Sequence, residues 1–91
     1  MLIALLAHDK PGALQIRKDN RAAHLDYINA TGVVQQAGPL LDDAGKMKGS
    51  LVILDVADMN AARDWADNDP YAKAGLFESV TLTHWNRVIG G

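Results

Sequence analysis

The sequence predicts an α+β fold in which a four-stranded antiparallel sheet carries helices on one face. Three observations carry that expectation. An apolar run, Leu2-Ile3-Ala4-Leu5-Leu6-Ala7, opens the chain and reads as a strand buried on both faces, the central strand of a small sheet. The long stretch from Ala13 to Thr31 repeats apolar residues at helical spacing. Later segments alternate apolar and polar with a period of two, as half-buried strands do.

The elements follow in order. Pro11-Gly12 marks a turn between the first strand and the first helix. In that helix Leu14, Arg21, Leu25 and Ile28 fall together on one apolar stripe, with Arg21 at its centre. Arg17 and His24 lie within roughly 20° of each other at the border of this stripe, at 3.6 residues per turn. Gly32 supplies a left-handed stop. Val33 to Ala37 reads as a second strand, broken by Gly38-Pro39. Leu40 to Gly49 holds Asp42, Asp43, Gly45, Lys46 and Lys48 and reads as an exposed connection, mobile at its tip.

Ser50 to Ala57 is the third strand, with Val52, Leu54 and Val56 forming a wholly apolar face. Asp58 is placed to cap a helix from Met59 to Asp67, whose buried stripe is Met59, Ala62, Trp65 and Ala66. Asp69 can cap a second short helical turn, with Pro70 at its first position and Gly75 ending it. Glu78 to Val88 alternates again and forms the last strand. The order β-α-β-β-α-β is the ferredoxin-like, split βαβ plan. Helices on one face leave the other bare, and in a small chain such a face most simply pairs with a second copy. A length of 91 residues bounds the answer to one domain, residues 1–91.

Composition narrows the function. The net charge is −2 and no basic block occurs, which argues against nucleic acid or an anionic membrane as partner. No apolar run approaches the ~18 residues a membrane span needs. Met1 to Ala7 is too short for a signal-peptide core, so a cytoplasmic protein is expected. Without cysteine there is no disulfide, thiol nucleophile or Cys-type zinc site. No glycine-rich phosphate loop is present, and His8, His24 and His84 match no metal-ligand spacing, so no cofactor and no metal is expected. Ser50 lacks the Gly-x-Ser-x-Gly elbow of serine hydrolases.

Asp9, Leu14, Arg17, Arg21, His24, Leu25, Tyr27 and Ile28 follow a pattern of Asp, then Leu, then Arg-x-x-x-Arg-x-x-His-Leu-x-Tyr-Leu, with Ile28 in place of the final Leu. Ala37-Gly38-Pro39, Gly49-Ser50 and the block from Trp65 through Asp69-Pro70-Tyr71 to Leu76 continue it. On these residues the sequence resembles the YciI-like (YCII-related) family of small dimeric α/β proteins. The resemblance implies a ferredoxin-like homodimer with its sheets facing each other, of the dimeric α/β barrel type. It also implies an active site built around a histidine and an aspartate, to which His24 and Asp69 correspond. A few relatives act as dehydrochlorinases or isomerase-like enzymes on ring-opened or chlorinated aromatic breakdown products. The loop from Leu40 to Lys48 looks shorter than in some members, so the rim of the site is expected to differ.

Each candidate has a functional and a plainer reading. His24 suits acid/base work, because an ordinary imidazole titrates near 6.5, and a carboxylate from Asp69 or Asp9 would fix its tautomer. The plainer reading is a half-buried histidine bonded to backbone. Arg17 and Arg21 could clamp a substrate carboxylate with the guanidinium fork. They could equally form salt bridges to Asp9 or Asp69. Asp9 could instead cap the first helix, the safer assignment, and Asp69 before Pro is a common cap as well. Tyr27, Tyr71 and Trp85 could line a pocket for a ring-shaped ligand, or pack in the core or a dimer interface. The leading expectation is a small cofactor-free enzyme performing elimination or isomerisation on a small anionic organic molecule. The alternative is a non-catalytic dimeric ligand-binding or accessory domain.

Overall fold

In the computed structural model, which describes residues 1–90, the elements are β1 (Leu2–Asp9), α1 (Leu14–Thr31), β2 (Val34–Leu41), β3 (Met47–Asp55), α2 (Met59–Asn68), α3 (Pro70–Lys73) and β4 (Phe77–His84). The strands form one antiparallel sheet in the order β2-β3-β1-β4. This is the ferredoxin-like arrangement, with the first and third strands at the centre.

Strand alternation builds the core. Ile3, Leu5 and Ala7 point toward the helices, opposite Leu54, Val52 and Ser50 of β3. Ala62 and Trp65 of α2 and Tyr27 and Ile28 of α1 close over them. Full burial of such large apolar side chains is worth about 1.5–3 kcal/mol each. The helices are also stitched to each other: the Trp65 indole Nε1 donates to Thr31 Oγ1 at 2.9 Å, and the Tyr27 hydroxyl donates to the Trp65 carbonyl at 2.8 Å. A second cluster of Ala13, Tyr71 and Leu76, with Ile16 and Phe77 against it, pins α3 beside the start of α1.

The same alternation tells where the core stops being apolar. On β1 the helix-facing row runs Ile3, Leu5, Ala7 and then Asp9; on β3 it runs Leu54, Val52 and then Ser50. The core thus ends in polar groups at one end of the sheet, and the buried polar side chains of the chain gather there.

Five sequence expectations need correction. Gly38-Pro39 does not break β2, which runs on to Leu41. β2 is an edge strand, and proline is tolerated at an edge because its missing N–H need not serve a ladder. β3 accordingly begins at Met47 and the connection shrinks to five residues, 42–46. Its turn is closed by Asp42, whose Oδ1 accepts from the Ala44 and Lys46 N–H groups at 2.9 Å each. β4 ends at His84 rather than Val88, because His84 pairs with Ile3 and β1 offers little strand beyond that point.

The remaining corrections concern faces. The buried residues of α1 are Arg17 and His24, whereas Arg21 and Leu25 are exposed. The helix is rotated from the expected stripe because the two polar side chains find buried partners. β1 is covered on one face only: Leu6 and its partner Leu51 on the outer face are each 38% exposed. No helix among the described residues is long and apolar enough to cross a membrane.

Candidate active site

Arg17 and His24 project from the same side of α1 into the gap between that helix and the polar end of the sheet. Arg17 meets Asp9 side-on. Its Nε and one terminal nitrogen, Nη2, donate to the two Asp9 oxygens at 2.8 Å each, and Nη2 also donates to Ser50 Oγ at 2.9 Å. Burial opposes the Arg17 charge, but the bonded Asp9 carboxylate more than offsets it and holds the guanidinium above its ordinary pKa. Asp9 therefore neither caps α1 nor touches His24. The N-cap of that helix is Ala13, with no side-chain cap at all.

His24 finds its carboxylate elsewhere. Its Nδ1 lies 2.7 Å from Asp69 Oδ1, and Asp69 is only 2% exposed. The same Oδ1 accepts the Tyr71 backbone N–H at 3.0 Å, which caps α3. One carboxylate oxygen thus starts a helical turn and orients the imidazole. An ionised carboxylate can only accept, so the proton between them sits on Nδ1 and the lone pair falls on Nε2. Among the described residues that second nitrogen has no hydrogen-bond partner. No sealed side-chain nitrogen or oxygen among the described residues lacks a partner, so Nε2 keeps contact with open space. Tyr71 stacks on the imidazole with ring centroids 3.9 Å apart and planes within 14°, fixing its tilt as Asp69 fixes its direction.

The open space is a cavity of about 260 Å³. The α1 wall contributes Arg17, Arg21, His24, Leu25 and Ile28, and the opposite wall comes from β2 and β3, including Pro39, Met47, Ser50 and Val52, with Tyr71 closing an end. The wall carries two guanidinium groups and no carboxylate, since Asp9 and Asp69 stand behind their partners. Arg21, which the sequence assigned to the middle of an apolar stripe, is exposed at this wall. Among the described residues it forms no ion pair; Arg17 by contrast is already committed to Asp9.

Of the expected site residues, the structure thus brings Arg17, Arg21, His24 and Tyr71 to one cavity and sets Asp9 and Asp69 immediately behind it. Tyr27 and Trp85 do not join them. Tyr27 packs on Trp65, with ring centroids 5.0 Å apart, and Trp85 lies under the Arg87 guanidinium. His8 belongs to the outer sheet face by alternation, away from His24. Ser50 was missed as a site residue, although its parity with Val52 and Leu54 places it on the helix-facing row. Pro39 and Met47 were missed because β2 was read as broken before them and β3 as starting after.

The family model of the YCII-related domain matches residues 1–86. Protein YciI of Escherichia coli O6:H1 is 35% identical, over 97% of this chain and 99% of its own. Among solved structures, the 5-chloro-2-hydroxyhydroquinone dehydrochlorinase TftG of Burkholderia phenoliruptrix AC1100, in complex with 2,5-dihydroxybenzoquinone, superposes with a TM-score of 0.86 at 36% identity, covering 94% of each chain. A NIPSNAP domain protein of Burkholderia xenovorans, at 16% identity and a TM-score of 0.55 over 100% of this chain and 99% of its own, shares the fold alone. By the extent of the family match and the identity to its relatives, the chain belongs to the YCII-related domain family.

Proposed function

We propose that this chain is a small enzyme in which His24 moves a proton at Nε2 while Asp69 holds Nδ1. The observation that supports it best is the 2.7 Å Nδ1–Oδ1 pair at the wall of a cavity that His24 lines. A general base needs a lone pair within reach of the substrate and a partner that fixes its tautomer. Nε2 takes a proton from a carbon or hydroxyl next to a carbonyl. In an isomerisation the imidazolium returns that proton to another atom of the same molecule. In an elimination the freed electron pair expels an anionic leaving group, and the imidazolium passes its proton to solvent.

The cavity favours a small anionic organic molecule. Its volume suits one ring or a short chain, and Leu25, Ile28, Pro39, Met47 and Val52 offer apolar walls. Arg21, unpaired and exposed, takes the substrate's charge; Arg17, with Nε and Nη2 engaged by Asp9 and Ser50, has only its remaining nitrogen to offer. The named ligand of the TftG structure, a hydroxylated quinone, is a sensible first probe. A second copy of this chain on the outer sheet face completes the reading: Leu6 and Leu51 pair there half-uncovered, on a chain too small to bury much more alone.

The test is a thermal-shift screen of small hydroxylated and carboxylated ring compounds, 2,5-dihydroxybenzoquinone included, against the parent and His24→Ala. A ligand that binds only the native state raises the melting temperature. The expected outcome is a compound that stabilises the parent, loses that effect in His24→Ala, and is consumed or isomerised by the parent alone. Compounds bound equally by both proteins and left unchanged would replace the enzyme by a ligand-binding domain.

A further inference from the structure

We infer that the Tyr71 hydroxyl is a further catalytic group, the hydrogen-bond donor to the oxyanion that forms when His24 removes a proton. This deepens the reading above and rests on it. Tyr71 is 3% exposed, and its backbone and ring are fully occupied: the N–H on Asp69, one ring contact on His24, and an edge contact with Phe77 at 6.0 Å. Its hydroxyl donates to nothing within the described residues, and the Arg17 guanidinium lies beside it as a donor, which leaves the phenol proton to give. A buried phenol normally finds a partner for its O–H. No sealed side-chain oxygen among the described residues is left unpaired, and Tyr71 lines the cavity together with His24.

The placement fits an enolate. His24 and Tyr71 are stacked nearly parallel at 3.9 Å and line one cavity, so a small molecule held there lies against both. A proton lost beside a carbonyl leaves its charge on the conjugated oxygen. The C–H electron pair becomes the new C=C bond, the carbonyl π pair moves to oxygen, and the proton resides on Nε2. Tyr71 donates its hydrogen bond to that oxygen without surrendering the proton. The phenol stays protonated at neutral pH: burial raises it above its ordinary value, while Arg17 and Arg21 pull the other way without reversing the shift. The Arg17 guanidinium, 4.8 Å from the Tyr71 ring centroid, adds positive charge beside the phenol. The substrate class is therefore an enolisable carbonyl compound, phenols and quinols being its aromatic tautomers, rather than a simple carboxylate.

Nitrophenols test this, because the phenolate absorbs visibly and the phenol does not. Binding of 4-nitrophenol and of nitrobenzene, which lacks the oxygen, is measured by titration for the parent, Tyr71→Phe and His24→Gln. The expected result is that the parent binds 4-nitrophenol as its anion. Tyr71→Phe should then lose roughly ten- to a hundredfold in phenolate affinity, the worth of a hydrogen bond to a charged group. Its unchanged affinity for nitrobenzene reports an intact pocket. Equal phenolate affinity in Tyr71→Phe and the parent, with His24→Gln impaired, overturns the Tyr71 assignment alone. Failure of the parent to bind either compound overturns the pocket reading and this inference together.

Discussion

At the scale of single residues, the site is a set of polar side chains whose burial is matched bond for bond. The Arg17 side chain is 4% exposed and that of Asp9 7%, and each satisfies the other in two places. Removing one member leaves the other charged and unpaired, which costs about 3–5 kcal/mol. Asp9→Ala should therefore show a loss of that size in urea-unfolding free energy. Tyr71 behaves differently, because its hydroxyl donates no hydrogen bond within the described residues. Both Tyr71 and Tyr27 are raised above the ordinary phenol pKa by burial, the first opposed by Arg17 and the second reinforced by Asp69. The folded state then holds these protons more tightly than the unfolded one. Their contribution is intact below the ordinary phenol value of about 10 and fades as pH rises through the folded values. Stability measured in steps above pH 9 should fall, and Tyr71→Phe should flatten part of that fall; an equal slope in both proteins would count against a buried phenol at this position.

At the scale of elements, two aspartate caps show how a local device is put to a second use. Asp58 caps α2 by accepting from the Ala61 N–H at 2.8 Å and does nothing else. Asp69 caps α3 and also orients His24. Asp58→Ala should cost about 1 kcal/mol and leave ligand binding alone. Asp69→Ala should cost more and abolish ligand-induced stabilisation, so thermal shifts on the two variants separate capping from function. Both caps were legible as sequence, Asp69 by its place before Pro70. The partner of Asp69 was not, because local pattern does not say which loop lies against which helix. The rotation of α1 escaped for a related reason: apolar spacing assigned Arg21 to the buried stripe, and only the partners waiting on β1, β3 and α3 draw Arg17 and His24 inward instead. The Gly38-Pro39 pair misled because proline is a breaker in a central strand and harmless at an edge, and edge status is a property of the whole sheet.

At the scale of the molecule, the fold follows from the order of elements and the parity of its strands. Parity sends apolar rows to both faces of β1 and β3, yet the helices cover one. The proposed second copy would cover the other. Light scattering at micromolar concentration should return twice the 9.8 kDa chain mass, and Leu51→Glu, placed at the centre of the outer face, should return the chain mass itself. The cavity has the opposite logic. It lies between α1 and strands β2 and β3, with Ser50, the row end of β3, on its wall and Asp9, the row end of β1, behind Arg17. Fold and site are thus continuous: the sheet rows that build the core also deliver Asp9 and Ser50 to hold Arg17 in place.

The account's central claim is an imidazole whose Nδ1 is tied to Asp69 and whose Nε2 is left as a free base. It is tested most directly by a long-range ¹H–¹⁵N correlation spectrum of the ¹⁵N-histidine-labelled protein at a pH where imidazole is neutral. An ionised Asp69 that accepts from His24 puts the proton on Nδ1, with an unprotonated, pyridine-like signal at Nε2 that moves when a cavity ligand is added. A spectrum showing the proton on Nε2, unaltered in Asp69→Ala, would contradict it.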